Sequence, residues 1–251
     1  MSSKYYEWLA RDVKPEEKRE LTRKEKWKNW WYYHKWHVIT GIIVLFCFVD
    51  LAADALQAHR DQPDYSVAYI GSAPLPEDTV DALTSALEAL GEDLNQNGTV
   101  QVALHQYLIY ADDTTDDQSM TKEENLSYAY AGQVQLTADF ESCESFFFLM
   151  EDPEQFQKDY QILARLDGSL PEENRAATLP LYISWSECPV LQSLPLGSYQ
   201  LETLGEIFNG SNQEVLSQLS IGRRGFWQEK TCKNVSGCEA LWNTLMEGTV
   251  Q

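Results

Sequence analysis

Hydrophobic and polar positions alternate with different periods along this chain, and each change of period marks a boundary. Residues 38–49 carry no charge. Counting Trp36, His37 and the Leu51-Ala52-Ala53 tail, the apolar segment reaches eighteen residues, 36–53. At about 1.5 Å per residue this is the lower limit for a helix crossing a bilayer. Residues 54–64 are polar and read as a stalk. Tyr65-Ser-Val-Ala-Tyr-Ile70 then predicts a strand, closed by Gly71 and Pro74. Pro76, Glu77 and Asp78 suit the first turn of a helix whose apolar stripe is Val80, Leu83, Leu87 and Leu90, with Gly91 as its stop.

The same reading predicts a strand over 100–110, a helix over 123–140 and a strand over 146–150. The last is continuously apolar, as expected of a strand covered on both faces. Asp152 and Pro153 open a further helix carrying Phe156, Tyr160, Leu163 and Leu166. A strand over 179–185, a short ordered segment over 198–208 and a helix over 238–246 complete the pattern. Strand and helix alternate, so the fold class is α/β: one three-layer domain over 65–251, preceded by one transmembrane helix. No internal repeat or low-complexity linker interrupts it.

Charge gives the apolar segment a direction. Up to His37 there are 10 basic and 6 acidic residues; beyond it there are 9 and 33. Basic residues on the N-terminal side place residues 1–35 in the cytosol and the domain outside, in a single-pass membrane protein. Trp27, Trp30, Trp31, Tyr32, Tyr33 and Trp36 interleave with Lys24, Lys26, Lys28 and Lys35, a mixture suited to membrane lipid at the interface. The formal charge of −20 excludes nucleic acid as a partner, since such binding depends on neutralising phosphates. An outer domain also permits disulfides. Cys232 and Cys238 bracket CKNVSGC, which is expected to close into one, and Cys143 with Cys188 offers a second pair whose connectivity the sequence leaves open.

Candidate chemistry is sparse. Asp93, Asn95 and Asn97, followed by Gly98, have the spacing of the first half of an EF-hand calcium loop, but position twelve is Leu104, where a bidentate carboxylate is needed. An Asx-rich turn is the better reading, and calcium is the one cofactor left open. The acidic run Asp112, Asp113, Asp116 and Asp117 reads as a solvated loop. His105 is the one histidine inside the predicted fold, and no nucleophile-elbow pattern accompanies it. Gly222-Arg-Arg-Gly225 is too short for a phosphate loop. Tyr107, Tyr110, Tyr182 and Trp185 are candidate ligand-binding residues, because aromatic faces stack on flat ligands. Asn97, Asn125, Asn209 and Asn234 each begin an Asn-x-Ser/Thr sequon.

Three stretches together resemble one lobe of the extracellular solute-binding proteins, particularly the sugar-binding family of ABC importers. They are residues 65–71 as an opening strand, 123–139 as the helix before a strand, and FFFLMEDPEQF (146–156) as a strand edge followed by a helix. The resemblance covers roughly 65–165 and implies a periplasmic-binding-type lobe whose partner lobe is absent or much reduced. It favours a bacterial, membrane-tethered protein. The expected function is non-enzymatic binding of a small molecule or an envelope protein. The alternatives are a cell-envelope hydrolase using paired carboxylates and a structural assembly component.

Overall fold

The computed structural model describes residues 20–60, 62–110, 122–171, 179–203, 206–226 and 231–249. The acidic run at 112–117 lies outside them. The chain divides into two units between Ala58 and His59.

The first unit is built on one helix, α1 (Arg23–Arg60, 38 residues), which runs through the predicted span and most of the predicted stalk. Thr22 starts it, its amide and hydroxyl both donating to Glu25 Oε2 at 2.9 Å. The candidate membrane span is Arg23–Ala53, 31 residues with none of the apolar window buried against protein. Ile42, Ile43, Leu45, Phe46 and Phe48 are exposed, which a lipid solvent satisfies and water does not. On the basic flank Trp27 stacks on Trp31 at 6.1 Å, and the Lys35 ammonium lies 5.3 Å from the Tyr32 ring centre.

The second unit is a three-layer α/β domain around a mixed sheet. Strands β1 (Tyr65–Gly71), β2 (Val102–Leu108), β3 (Phe147–Met150), β4 (Leu163–Ala164), β5 (Tyr182–Ser184) and β8 (Ser220–Arg224) form it in the order β2-β1-β3-β8-β4, with β5 also paired to β8. The first three are parallel, and β8 runs antiparallel to its neighbours. Every residue of β1 and β3 is buried, so the continuous apolar runs occupy the centre as their composition demands.

Two helical layers cover the sheet. On one face α2 (Glu77–Glu88), α5 (Pro189–Gln192), α6 (Asn212–Leu216) and α7 (Val235–Leu245) set Leu83, Leu87, Leu191, Leu216, Leu241 and Trp242 against Val67, Phe147, Leu149 and Ile221. An apolar cavity of about 10 Å³ remains there, at the lower limit of what a water needs. On the other face α3 (Lys122–Ser142) and α4 (Pro153–Tyr160) bring Leu136 and Phe156 onto Ala68, Ile70, Phe148 and Met150. Gly132 lets α3 touch β2, since a Cβ there would lie 2.4 Å from the Leu108 carbonyl oxygen. Asp152 caps α4, accepting the Gln155 amide at 2.9 Å, with Pro153 in the first turn.

Three elements depart from the sequence reading. The helix opened by Asp152 stops at Tyr160, where Gln161 turns left-handed at φ 50°, and Leu163, expected on that helix, lies in β4. The segment 198–208 opens into a separate hairpin, β6 (Ser198–Thr203) and β7 (Glu206–Ser211). The strand β8, at the centre of the antiparallel half, is formed by the Ser-Ile-Gly-Arg-Arg run that carried no strand signal.

Candidate functional site

A polar concavity lies at the edge of the sheet where the parallel strands begin. Asp64 organises it. Its Oδ1 accepts the Leu94 and Asn95 amides at 2.8 and 2.9 Å, and its Oδ2 accepts the Gln101 amide at 2.9 Å. These bonds tie the turn at 93–101 to the point where the chain enters β1. Asn95 Nδ2 donates to the Gln62 carbonyl at 2.6 Å and tightens the same corner. Facing it are the end of α3 and the start of α7. Together they enclose a cleft of about 280 Å³ lined by Asp64, Asn95, Ser142, Glu144, Lys233 and Asn234, with Cys143 and Cys238 among its walls.

Its electrostatics are mixed. Glu144 is half-exposed and approaches His105 Nε2 at 3.5 Å. The Lys233 ammonium donates to Gln62 Oε1 at 2.9 Å. Two carboxylates, one amine, amides and hydroxyls around one hollow can orient a ligand with both donors and acceptors. Cys238 is a poor nucleophile there, because burial pushes its thiol up to about 12.

The expected Cys232–Cys238 disulfide is corrected by the structure. All five cysteines are free, and no two sulfurs come within bonding distance. The sulfurs are committed elsewhere: Cys232 to the Ser145 carbonyl at 3.8 Å, Cys143 to Phe140 at 3.7 Å and Cys188 to Ser184 at 3.6 Å, each carbonyl accepting. Cys238 is buried on the inward face of α7. The second pair, Cys143 with Cys188, is overturned by the same finding.

The oxygens of the calcium-like loop are engaged within the chain. Asp93 accepts the Asn97 and Gly98 amides at 3.2 and 2.7 Å, and Asn95 Oδ1 accepts the Asn97 amide at 2.9 Å. Asn97 Oδ1 accepts from the amide and hydroxyl of Thr99, both at 2.8 Å. Gly98 sits at φ +96°, where a side chain would be strained. The described residues hold no group of three His, Cys, Asp or Glu side chains poised around one ion.

The four aromatic candidates do not share one surface. Tyr107, Tyr110 and Tyr182 belong to the α3–α4 side of the sheet, and Trp185 to the other. Tyr107 is buried and donates to Asp139 Oδ2 at 2.9 Å; desolvation, with Asp139 adding to it, drives its pKa far upward. Tyr110 donates to the Asp152 carbonyl at 3.3 Å and is also raised, first by burial. Tyr182 is half-buried. Trp185 is 1% exposed, and its indole N–H has no partner among the described residues.

A buried polar knot behind β8 escaped the sequence reading altogether. Asp139 and Arg224 are each 2% exposed and meet at 3.3 Å. Ser145 donates its hydroxyl to Asp139 at 2.5 Å, while Arg224 donates to the Ser145 and Phe140 carbonyls at 3.0 and 2.6 Å. Its members bond to one another and tie the end of α3 to β8. At the opposite edge of the sheet Glu151 is likewise occupied, accepting from Tyr69 at 2.6 Å and from the amide and hydroxyl of Ser72 at 2.8 and 2.9 Å.

No family model matches this chain, and neither a curated protein nor a solved structure matches it. What stands is a membrane-associated globular α/β domain with one long apolar helix.

Proposed function

We propose that the chain is a single-pass, membrane-tethered binding protein without catalytic activity, and that its α/β domain takes a small polar ligand in the cleft at the start of the parallel strands. The observation that carries this reading is that Glu144 and Lys233, an acid and a base, both line one hollow of about 280 Å³. A ligand presenting both a cation and an anion, or a dense set of hydroxyls, matches that lining. The parallel β2-β1-β3 core with helices on both faces supports the likeness to a solute-binding lobe.

An outward-facing domain is part of the proposal. It rests on the charge step across the apolar segment, since free cysteines give the oxidising exterior no support. A membrane-impermeant amine reagent applied to intact cells labels Lys233 if the domain faces outward, and only after permeabilisation if it faces inward.

The binding test uses the full chain in lipid nanodiscs, with amino acids and monosaccharides as probes at millimolar concentration. A thermal stabilisation by one probe, lost in Lys233→Ala and Glu144→Gln, supports the cleft. Equal stabilisation of wild type and both variants, or none with any probe, overturns it.

A further inference from the structure

The β6–β7 hairpin carries an unexplained apolar surface. Leu201, Ile207 and Phe208 are 46%, 65% and 52% exposed. Its base is fixed: Thr79 donates to Asn212 Oδ1 at 2.7 Å, and Asn212 Nδ2 donates to the Leu196 carbonyl, also at 2.7 Å. Its outer strand is not covered in the same way. The Asn212 amide bonds the Gly197 carbonyl at 3.2 Å, so pairs 197/212, 199/210 and 201/208 exchange bonds within the hairpin. The intervening amides point outward. On β6 one of them, Gln200, is taken by Asp78 at 2.9 Å. On β7 the outward amides are those of Ile207 and Asn209, both exposed. Nothing usual protects this edge, since no Lys, Arg or Pro occurs between Leu196 and Gly222.

From this geometry we infer that β7 is the self-association edge of the protein, pairing antiparallel with β7 of a second copy about a twofold axis at Phe208. The sequence Glu206-Ile-Phe-Asn-Gly210 is suited to that register. Phe208 meets Phe208 of the other copy as a close non-hydrogen-bonded pair, and Ile207 faces Asn209, so the outward amides on both sides are satisfied. Leu201 and Phe208, which are cross-strand partners, extend the apolar contact across four strands. Copies held on one membrane also meet at raised effective concentration.

The test is the mass of the full chain in detergent by light scattering, across a dilution series. Wild type is expected to show two copies. Ile207→Pro removes an outward N–H without touching the β6–β7 ladder, and Phe208→Glu places a charge at the axis; each is expected to weaken association at least tenfold while leaving thermal unfolding of the domain near wild type. In a Cys47→Ala background, Phe208→Cys is expected to form an intermolecular disulfide under mild oxidation and Glu202→Cys is not. A monomeric wild type, or a dimer that survives both hairpin variants, overturns the inference; the second result would assign association to the apolar helix instead.

Discussion

Two strands of this domain place the wrong residues in the wrong solvent. The comparison shows which displacement the fold corrects internally. β8 buries consecutive arginines, Arg223 and Arg224, at 5% and 2% exposure. β7 exposes consecutive hydrocarbons, Ile207 and Phe208. In β8 each guanidinium finds its counter-charge within the domain. Arg224 meets Asp139 behind one face of the sheet. Arg223, on the other face, bonds Glu239 at 2.8 Å and lies 5.2 Å from the centre of the Phe146 ring. Among the described residues of one copy, β7 has no such compensation. A displacement satisfied internally is architecture, and one left unsatisfied points to a second molecule.

The largest effect should come from breaking the compensated side. Asp139→Ala strands Arg224 and also removes the acceptor of Tyr107 and Ser145. It should cost about 3–5 kcal/mol in denaturant unfolding. Asp139→Leu with Arg224→Met should recover most of that loss, because an apolar pair needs no solvation. If the single variant unfolds like wild type, the knot does not hold α3 to β8.

Alkaline pH should come next. Cys188 is raised to about 11, and Cys232 and Cys238 to about 12, in each case chiefly by desolvation. These thiols stay protonated in the fold while the unfolded chain begins to lose protons near 9.0, the ordinary thiol value. Stability is therefore fully present below that value and falls as pH rises toward the folded values. A lower urea midpoint at pH ~10 than at ~8, with proton release on unfolding, is expected from this linkage. A disulfide between Cys232 and Cys238 would abolish their share.

What the sequence revealed follows the same division. β1 and β3 were readable because Tyr65 to Ile70 and Phe146 to Met150 are apolar on both faces. The helix α2 was readable from the stripe Val80, Leu83, Leu87 and Leu90. β8 was not, because its arginines are neutralised by residues 85 and 16 positions away, and no local pattern reports such partners. The hairpin was hidden for a different reason: its Thr203-Leu-Gly-Glu206 connection lacks the Asn-Gly or Asp-Gly signal of a tight turn. The cleft was also unreadable, since Asp64, Asn95, Glu144 and Lys233 come together only through the sheet edge. The disulfide expectation failed because Cys spacing sets contour length and not the direction of a sulfur.

The weaker ends of the comparison should respond in ways that stability alone does not reveal. Glu239→Gln keeps a hydrogen bond to Arg223 but removes a half-exposed charge, so a loss of about 1 kcal/mol or less is expected by chemical denaturation. A larger loss would make Arg223 as dependent on its carboxylate as Arg224 is. The smallest effect on the fold belongs to β7. Phe208→Glu should alter domain stability by no more than about 0.5 kcal/mol, measured at a dilution where wild type is monomeric, since the side chain is already in water. The same substitution should remove association. Raising the salt concentration should strengthen the wild-type dimer, because screening weakens repulsion between acidic bodies while leaving the Phe208 contact intact. Association that weakened with salt would point to an attraction between charges, which nothing in the lysine- and arginine-free stretch around β7 supplies.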